Sequence, residues 1–201
     1  MKEAQLYIKG MCCERCIEKV KQLLGEGNYH AVKTMLGEVT LENKPTEKEL
    51  ATLNRKLAAW GFSLVNSHTE QVVARARAAI FQYMNEMTGK SSKYRLSDYV
   101  ADRVGMSYYY ISRIFSAAEK TTMEKFLILL KVERVKELLL QDETTITDIA
   151  YGLGYSSPQS LSSQFKKVTG KTPGEYRIDP IPGRVHIDKI GAQNFVQKAG
   201  K

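Results

Sequence analysis

Thr121–Asp142 reads TTMEKFLILLKVERVKELLLQD. The stretch predicts one long helix. Thr121 and Glu124 stand at capping-box spacing at its start. Ile128, Val132, Val135 and Leu139 step by four, three and four residues, so they share one face. Phe126, Leu127 and Leu130 widen that stripe over the N-terminal half. A helix apolar over so broad an arc needs partners on two sides. The sequence on either side carries one structural unit twice, which makes the helix a spacer holding two copies at a fixed distance.

The first copy is Leu96–Gly105 followed by Ser107–Ser116, and the second is Ile146–Gly154 followed by Ser157–Lys167. Both contain Ala-x-x-x-Gly, as Ala101 with Gly105 and Ala150 with Gly154. Both continue with an aliphatic residue, Ser and then Phe, as Ile111, Ser112 and Phe115, and as Leu161, Ser162 and Phe165. The offset is 49 residues at the alanines and 50 at the phenylalanines, so the second turn is one residue longer. This is the pattern of a helix-turn-helix. The small Ala lets two helices cross closely, and the Gly supplies a left-handed turn. Ile111 and Leu161 anchor each second helix inward. Ser157 and Pro158 suit the N-cap and first helical position. One such pattern is a weak signal, whereas two in order around a long helix are a strong one. Ahead of them, Gln71–Glu86 predicts an amphipathic helix with Val72, Ala76, Ile80 and Tyr83 on one face, and Thr88–Ser92 reads as a loop.

Residues 69–178 resemble the C-terminal DNA-binding domain of the AraC/XylS family of bacterial transcription regulators. VERVKELL, ITDIAYGLGYSS and QFKKVTGKTPGEYR carry the resemblance, the last close to the family signature. The resemblance implies double-stranded DNA as partner. A helix of about 20 residues is about 30 Å long, and successive major grooves on one duplex face are about 34 Å apart. The long helix could therefore set two recognition helices into adjacent grooves from one polypeptide. Solvent-side positions near the start of the first recognition helix are Ser107, Tyr108, Tyr109, Ser112 and Arg113. By resemblance, Tyr109, Ser112 and Arg113 fall where family members contact bases. Arg113 is the strongest candidate, because its planar fork can bond guanine O6 and N7 together. At least one residue of Tyr108–Tyr110 is expected to pack instead. In the second unit Gln159, Ser160, Ser162 and Ser163 face out, and Gln159 can pair with adenine. Many relatives carry Arg where Ser163 stands, which implies weaker base readout by this unit and more reliance on phosphates and shape. Lys166 and Lys167 are candidate phosphate contacts or simply a solvated pair.

The N-terminal region has another rhythm. Gln5–Lys9 alternates as a strand, and Ile17, Val20 and Leu24 give a helix ended by Gly25 and Gly27. His30–Met35 and Glu38–Glu42 predict a hairpin turning at Leu36-Gly37. Thr46 with Glu49 opens a helix whose Leu50, Leu53 and Leu57 face inward. Gly61 stops it, and Phe62–Val65 is a last strand. The order β-α-β-β-α-β within residues 1–68 predicts a ferredoxin-like sandwich with its helices on one sheet face. The fold class is thus α+β at the N-terminus, followed by an all-α domain of two helix-turn-helix units joined by a long linker helix.

Gly10-Met11-Cys12-Cys13-Glu14-Arg15-Cys16 joins the first strand to the first helix. This loop, with Gly61-Phe62, resembles the heavy-metal-associated domains of copper chaperones and metal-transporting ATPases. Cys13 and Cys16 stand in the two ligand positions and Cys12 in the variable one. Two thiols three apart at a helix N-terminus can converge on one ion, and the helix dipole favours their thiolates. Soft thiolates select Cu(I) or Zn(II). Two ligands suit Cu(I), whereas a structural zinc wants four, and Cys12 or His30 would have to supplement the pair. Two other readings stay open, a redox-sensing dithiol and a buried or vestigial pair. His30 and His68 read as surface or packing residues.

Composition sets bounds. The 201 residues carry a formal charge of +8 and 43% hydrophobic side chains, ordinary for a folded protein with an anionic partner, though solubility explains basic surface equally well. Net charge is +2 over residues 1–68, +4 over 69–178 and +2 over 179–201, so no dense basic tail accounts for the excess. Three cysteines within five residues make no disulfide framework, no apolar run is long enough to span a membrane, and the start lacks a signal-peptide core. A cytoplasmic setting follows. Residues 179–201 are expected to be a mobile tail.

These readings converge on a regulator rather than an enzyme, with no catalytic residue expected. A metal would be sensed, and none would be required for DNA binding; RNA polymerase is a candidate second partner. The rivals are a thiol redox-responsive regulator and a metal-handling protein whose helical domain only docks. A repair methyltransferase of similar layout would need a four-cysteine zinc site, and the chain has three cysteines.

Overall fold

The structure, a computed structural model, describes residues 3–86, 94–141 and 144–180. These fall into two compact units. One draws on Met1–Ala79 and Val100–Ile114, the other on Ile80–Tyr99 and the residues from Phe115 onward. The expected boundary at 68/69 falls at the start of the helix His68–Glu86, which contributes to both. The loop Thr88–Ser92 and the tail beyond Pro180 lie outside the described residues.

The first unit begins with β1 (Ala4–Lys9), α1 (Glu14–Glu26), β2 (Ala31–Met35), β3 (Glu38–Leu41), α2 (Glu47–Ala58) and β4 (Ser63–Val65). The strands form one sheet in the order β2-β3-β1-β4, with every neighbouring pair antiparallel. Register puts Leu6 opposite Val39 and Ile8 opposite Leu64, so these apolar residues share a face. Val20, Leu24, Leu53 and Leu57 of the two helices are each at most 1% exposed. Fully burying each such side chain is worth about 1.5–3 kcal/mol. The hairpin turns at Gly37, whose φ of +76° is a left-handed conformation. The Thr46–Glu49 capping box forms as its spacing predicts. The Asn54 side-chain oxygen accepts from the Leu64 N–H at 2.8 Å and ties α2 to β4.

Part of the sheet's other face meets a helix too, which one-sided packing of the helices did not anticipate. Tyr7, Glu38 and Val65 share that face by register. The N-terminal half of α3 (His68–Glu86) lies against it. Arg75 reaches Glu38 at 3.9 Å and stands 5.9 Å from the Tyr7 ring centroid. A Cβ at Gly37 would sit 3.2 Å from the Ala78 Cβ, so hairpin and helix touch directly. The expected single apolar face of α3 is corrected. Val72, Val73, Ala74, Ala76, Ala78, Ala79, Ile80 and Phe81 are all buried, around most of its circumference.

The helical region continues with α4 (Leu96–Val104), α5 (Tyr108–Glu119), α6 (Met123–Leu140), α7 (Ile146–Gly152), α8 (Pro158–Thr169) and α9 (Pro173–Ile178). In the second unit α6 is the central element. Met123, Phe126, Leu129, Leu130, Val132, Val135 and Leu139 are buried, the broad arc its sequence implies. Two details differ. Ile128 and Leu127 are only half-buried, and Leu129 takes the inward position. The N-cap is Thr122, whose hydroxyl accepts from the Lys125 N–H at 3.2 Å, while Thr121 is buried with its hydroxyl unpartnered. Glu133 is 8% exposed and is neutralised by Lys136 at 2.6 Å. The Phe126 ring meets Phe81 and Phe115 edge-on, at 6.0 and 5.6 Å. Val132, Val135 and Leu139 instead build a core with Ile149, Ala150, Leu161, Phe165 and Tyr176. The helix α9 closes that core with its own Thr172–Glu175 capping box.

Candidate nucleic-acid interface and metal centre

The two turns form alike. In the first, Gly105 has φ +69° and its N–H donates to the Ala101 carbonyl at 2.8 Å. A Cβ there would meet no heavy atom within 4 Å, so backbone conformation rather than space requires the glycine. In the second, Gly154 has φ +70°, and the Tyr155 N–H donates to the Ala150 carbonyl at 2.9 Å. Ser107 accepts from the Tyr110 N–H at 3.4 Å and Ser157 from the Ser160 N–H at 3.1 Å, so a serine opens each second helix. Pro158 follows at the first helical position. Ile111, Phe115, Leu161 and Phe165 are at most 1% exposed, the inward anchors of both copies.

The outward residues sort clearly. Tyr109 is 78% exposed, Ser107 and Arg113 are exposed, and Tyr108 and Ser112 are half-buried. Arg113 has no hydrogen-bond or ion-pair partner among the described residues. Tyr110 packs inward, its ring 6.3 Å from that of His68. In α8, Gln159, Ser160, Ser163, Lys166 and Lys167 are exposed and Ser162 is half-buried. Ser160 is already engaged, its hydroxyl 3.1 Å from that of Ser156 and 3.0 Å from that of Ser157. Gln159 and Ser163 therefore keep the freest edges of this helix. One contact was not legible in the sequence. The Tyr155 hydroxyl donates to the Gln164 side-chain oxygen at 2.7 Å, and the Lys131 ammonium lies 5.0 Å from the Tyr155 ring centroid. Burial pushes the Tyr155 phenol up and the Lys131 ammonium down, so the phenol stays a donor. An aromatic residue right after the turn glycine was the only clue.

In the first unit the cysteine loop is held by its neighbours. Gly10 has φ +99°, and a Cβ there would stand 2.6 Å from the Gly61 carbonyl oxygen. Gly10 and the Gly61-Phe62 step thus belong to one close approach. Met11 is 4% exposed and pins the loop inward. Cys13 is the N-cap of α1, and its carbonyl accepts from the Cys16 N–H at 3.0 Å. All three cysteines are free and half-buried. The Cys16 sulfur lies 3.7 Å from the Cys13 sulfur, and also 3.7 Å from that of Cys12. The three sulfurs lie within 4.8 Å of one another, and no His, Asp or Glu among the described residues joins them. His30, the other residue named as a possible supplement, is outside the group. The hydrogen bond from Cys12 lowers the Cys16 pKa to about 5, against the opposing effect of burial, with help from backbone donors at Cys12 and Cys13. The same hydrogen bond, with burial, pushes Cys12 up. At neutral pH the loop therefore holds one thiolate beside a thiol. Sulfurs about 2.3 Å from a tetrahedral ion lie about 3.8 Å apart, so the donor set suits a soft ion.

The helix-turn-helix domain family model matches residues 100–178. That segment is similar to a helix-turn-helix domain. The chain is 26% identical over 125 residues to the melibiose operon regulatory protein of Escherichia coli K12, covering 60% of this chain and 41% of that protein. It is 37% identical over 80 residues to an uncharacterized HTH-type transcriptional regulator of Staphylococcus aureus, covering 40% of this chain and 11% of the relative. The chain spans about two fifths of the length of the curated relatives it matches first. Among solved structures it is similar to the C-terminal domain of AraT, a response regulator from Geobacillus stearothermophilus. That likeness is 28% identical, covers 60% of this chain and 94% of the other, and has a TM-score of 0.48.

The helix-turn-helix domain presents donors of two kinds. Arg113 and Gln159 carry planar groups that can bond two base-edge atoms together, and Lys166 and Lys167 carry point charges suited to phosphates. No described helix is long and apolar enough to cross a membrane.

Proposed function

We propose that the chain is a sequence-specific, DNA-binding transcription regulator of the AraC type, with an N-terminal ferredoxin-like domain that binds a soft metal ion. The repeated turn carries the DNA reading. Glycines at φ +69° and +70° sit in equivalent places, each followed by a serine-capped helix with two inward anchors and an outward polar edge. The relatives matched are named as regulators. The 18 residues of α6 span about 27 Å, shorter by about 7 Å than the spacing of adjacent major grooves on one duplex face. Arg113 with Tyr109 reads bases from the first unit. Gln159 contributes from the second, and the lysine pair binds the backbone.

The thiol cluster carries the metal reading, with Cu(I) or Zn(II) as the ion class. A bound ion would supply a charged centre for the cysteine sulfurs to coordinate. The chain's own part is to keep Cys16 ionised and to fix the loop through Gly10 and Gly61. Metal-dependent control of DNA affinity requires that the two DNA-binding states differ in metal affinity. A thiol redox switch is the second reading, favoured by sulfurs already 3.7 Å apart. Reduced protein, titrated anaerobically with Cu(I) or Zn(II) and then assayed on its selected DNA site, separates them. Stoichiometric uptake with changed DNA affinity supports metal sensing. Unchanged DNA affinity with metal, but a change on oxidation that a thiol reductant reverses, supports the redox reading.

A further inference from the structure

The loop brings together one more sulfur than a two-ligand carrier needs. Cys12 stands 3.7 Å from Cys16, as near as Cys13 does, although its sequence position is the variable one of the motif it interrupts. These are thiol–thiol contacts of the metal-free loop, and they lie nearer one ligand geometry than another. An ion held linearly by two sulfurs at about 2.3 Å spreads them to about 4.6 Å, whereas three sulfurs around one ion lie about 3.8–4.0 Å apart. The loop has the smaller spacing on both edges through Cys16. The positions are also constrained. Gly10 is locked against the Gly61 carbonyl, Met11 is buried, and the Cys13 carbonyl receives the first turn of α1. Among the described residues no fourth His, Cys or carboxylate completes a tetrahedron.

We propose that Cys12 is a third ligand, so that the loop holds one Cu(I) ion by three sulfurs and retains it. This rests on the metal reading above and sharpens it. Passing an ion to another protein requires an incoming donor to enter the coordination shell. A two-sulfur site leaves that position open. Here Cys12 of the same chain, releasing its proton to solvent as the ion binds, fills it as a thiolate, at an effective concentration that an external donor does not match. A retaining site suits a sensor, and an open one suits a carrier.

The test uses the full chain, reduced and loaded with one equivalent of Cu(I) without oxygen. X-ray absorption counts the sulfurs, and a chromogenic Cu(I) chelator reads the rate of removal. Wild type should show three sulfurs. Cys12→Ser and Cys12→Ala should both show two, and both should surrender Cu(I) about tenfold faster or more. Cys16→Ser should fail to hold the ion at one equivalent. Circular dichroism of the apo variants confirms that they remain folded. Two sulfurs in wild type, with unchanged removal from the Cys12 variants, would overturn the third ligand and leave the metal reading standing. Ions shared between two chains at half an equivalent would overturn the one-chain, three-sulfur site. No stoichiometric uptake by wild type would remove both.

Discussion

Cys12, ahead of α1, and Cys16, in its first turn, take opposite charge states. Cys16 is held ionised to about pH 5 by the hydrogen bond from Cys12, while Cys12 is held neutral. The signs set a pH profile for stability. Unfolded cysteine ionises near pH 8.5, so Cys16 contributes stability that is fully present above that value and lost as pH falls through about 5. Above about pH 8.5 the unfolded chain also ionises Cys12, which the folded chain resists, and the trend reverses. Urea midpoints of the metal-free, reduced protein should therefore rise from pH 5 to about 8.5, and Cys16→Ser should flatten that rise. At the other site, Arg113→Ala should cost about 1–3 kcal/mol on the selected DNA site and relax base choice at one position. Equal weakening on every sequence would make Arg113 a phosphate contact. The nearness of Cys13 and Cys16 was legible because thiols three apart at a helix start converge, and the exposure of Arg113 because of its place on the helix. The engagement of Ser160 by Ser156 and Ser157 was not, since a run of serines looks equally outward until the cap is formed.

Helix starts show both the strength and the limit of local signals. Thr46 and Thr172 cap as their T-x-x-E spacing demands. At α6 two threonines adjoin, and the one lacking the glutamate at the box position wins, because Thr121 goes into the core. Thr122→Ala should lower stability by about 1 kcal/mol in chemical unfolding, with Thr121→Val neutral or stabilising, since an unpartnered buried hydroxyl is replaced by a methyl. The all-round burial of α3 escaped a reading by periodicity because alanine marks no face. Ala74 and Ala78 are the residues that let the Gly37 hairpin come close. The helix α9 was missed because six residues containing Gly174 carry too little pattern. Val132 lies mid-way along α6 at 1% exposure, and Val132→Pro should abolish site-specific binding by kinking the spacer.

For the molecule as a whole, the internal repeat is what made the helical architecture readable. A repeated turn, a repeated anchor pair and a broad apolar helix between them agree with one another in a way no single motif could. The order of the N-terminal elements, β-α-β-β-α-β, was legible from periodicity and turn residues. The division of α3 between two compact units was not, because it depends on contacts far apart in the chain. The central claim is that this chain reads a particular DNA sequence. Full-length protein should be used to select a duplex from a random pool, and its binding then followed on that duplex and on a scrambled one as salt rises. The account predicts one enriched sequence that stays bound at salt concentrations where the scrambled duplex has been released. Failure to enrich any sequence, or identical loss of both duplexes with salt, would contradict it.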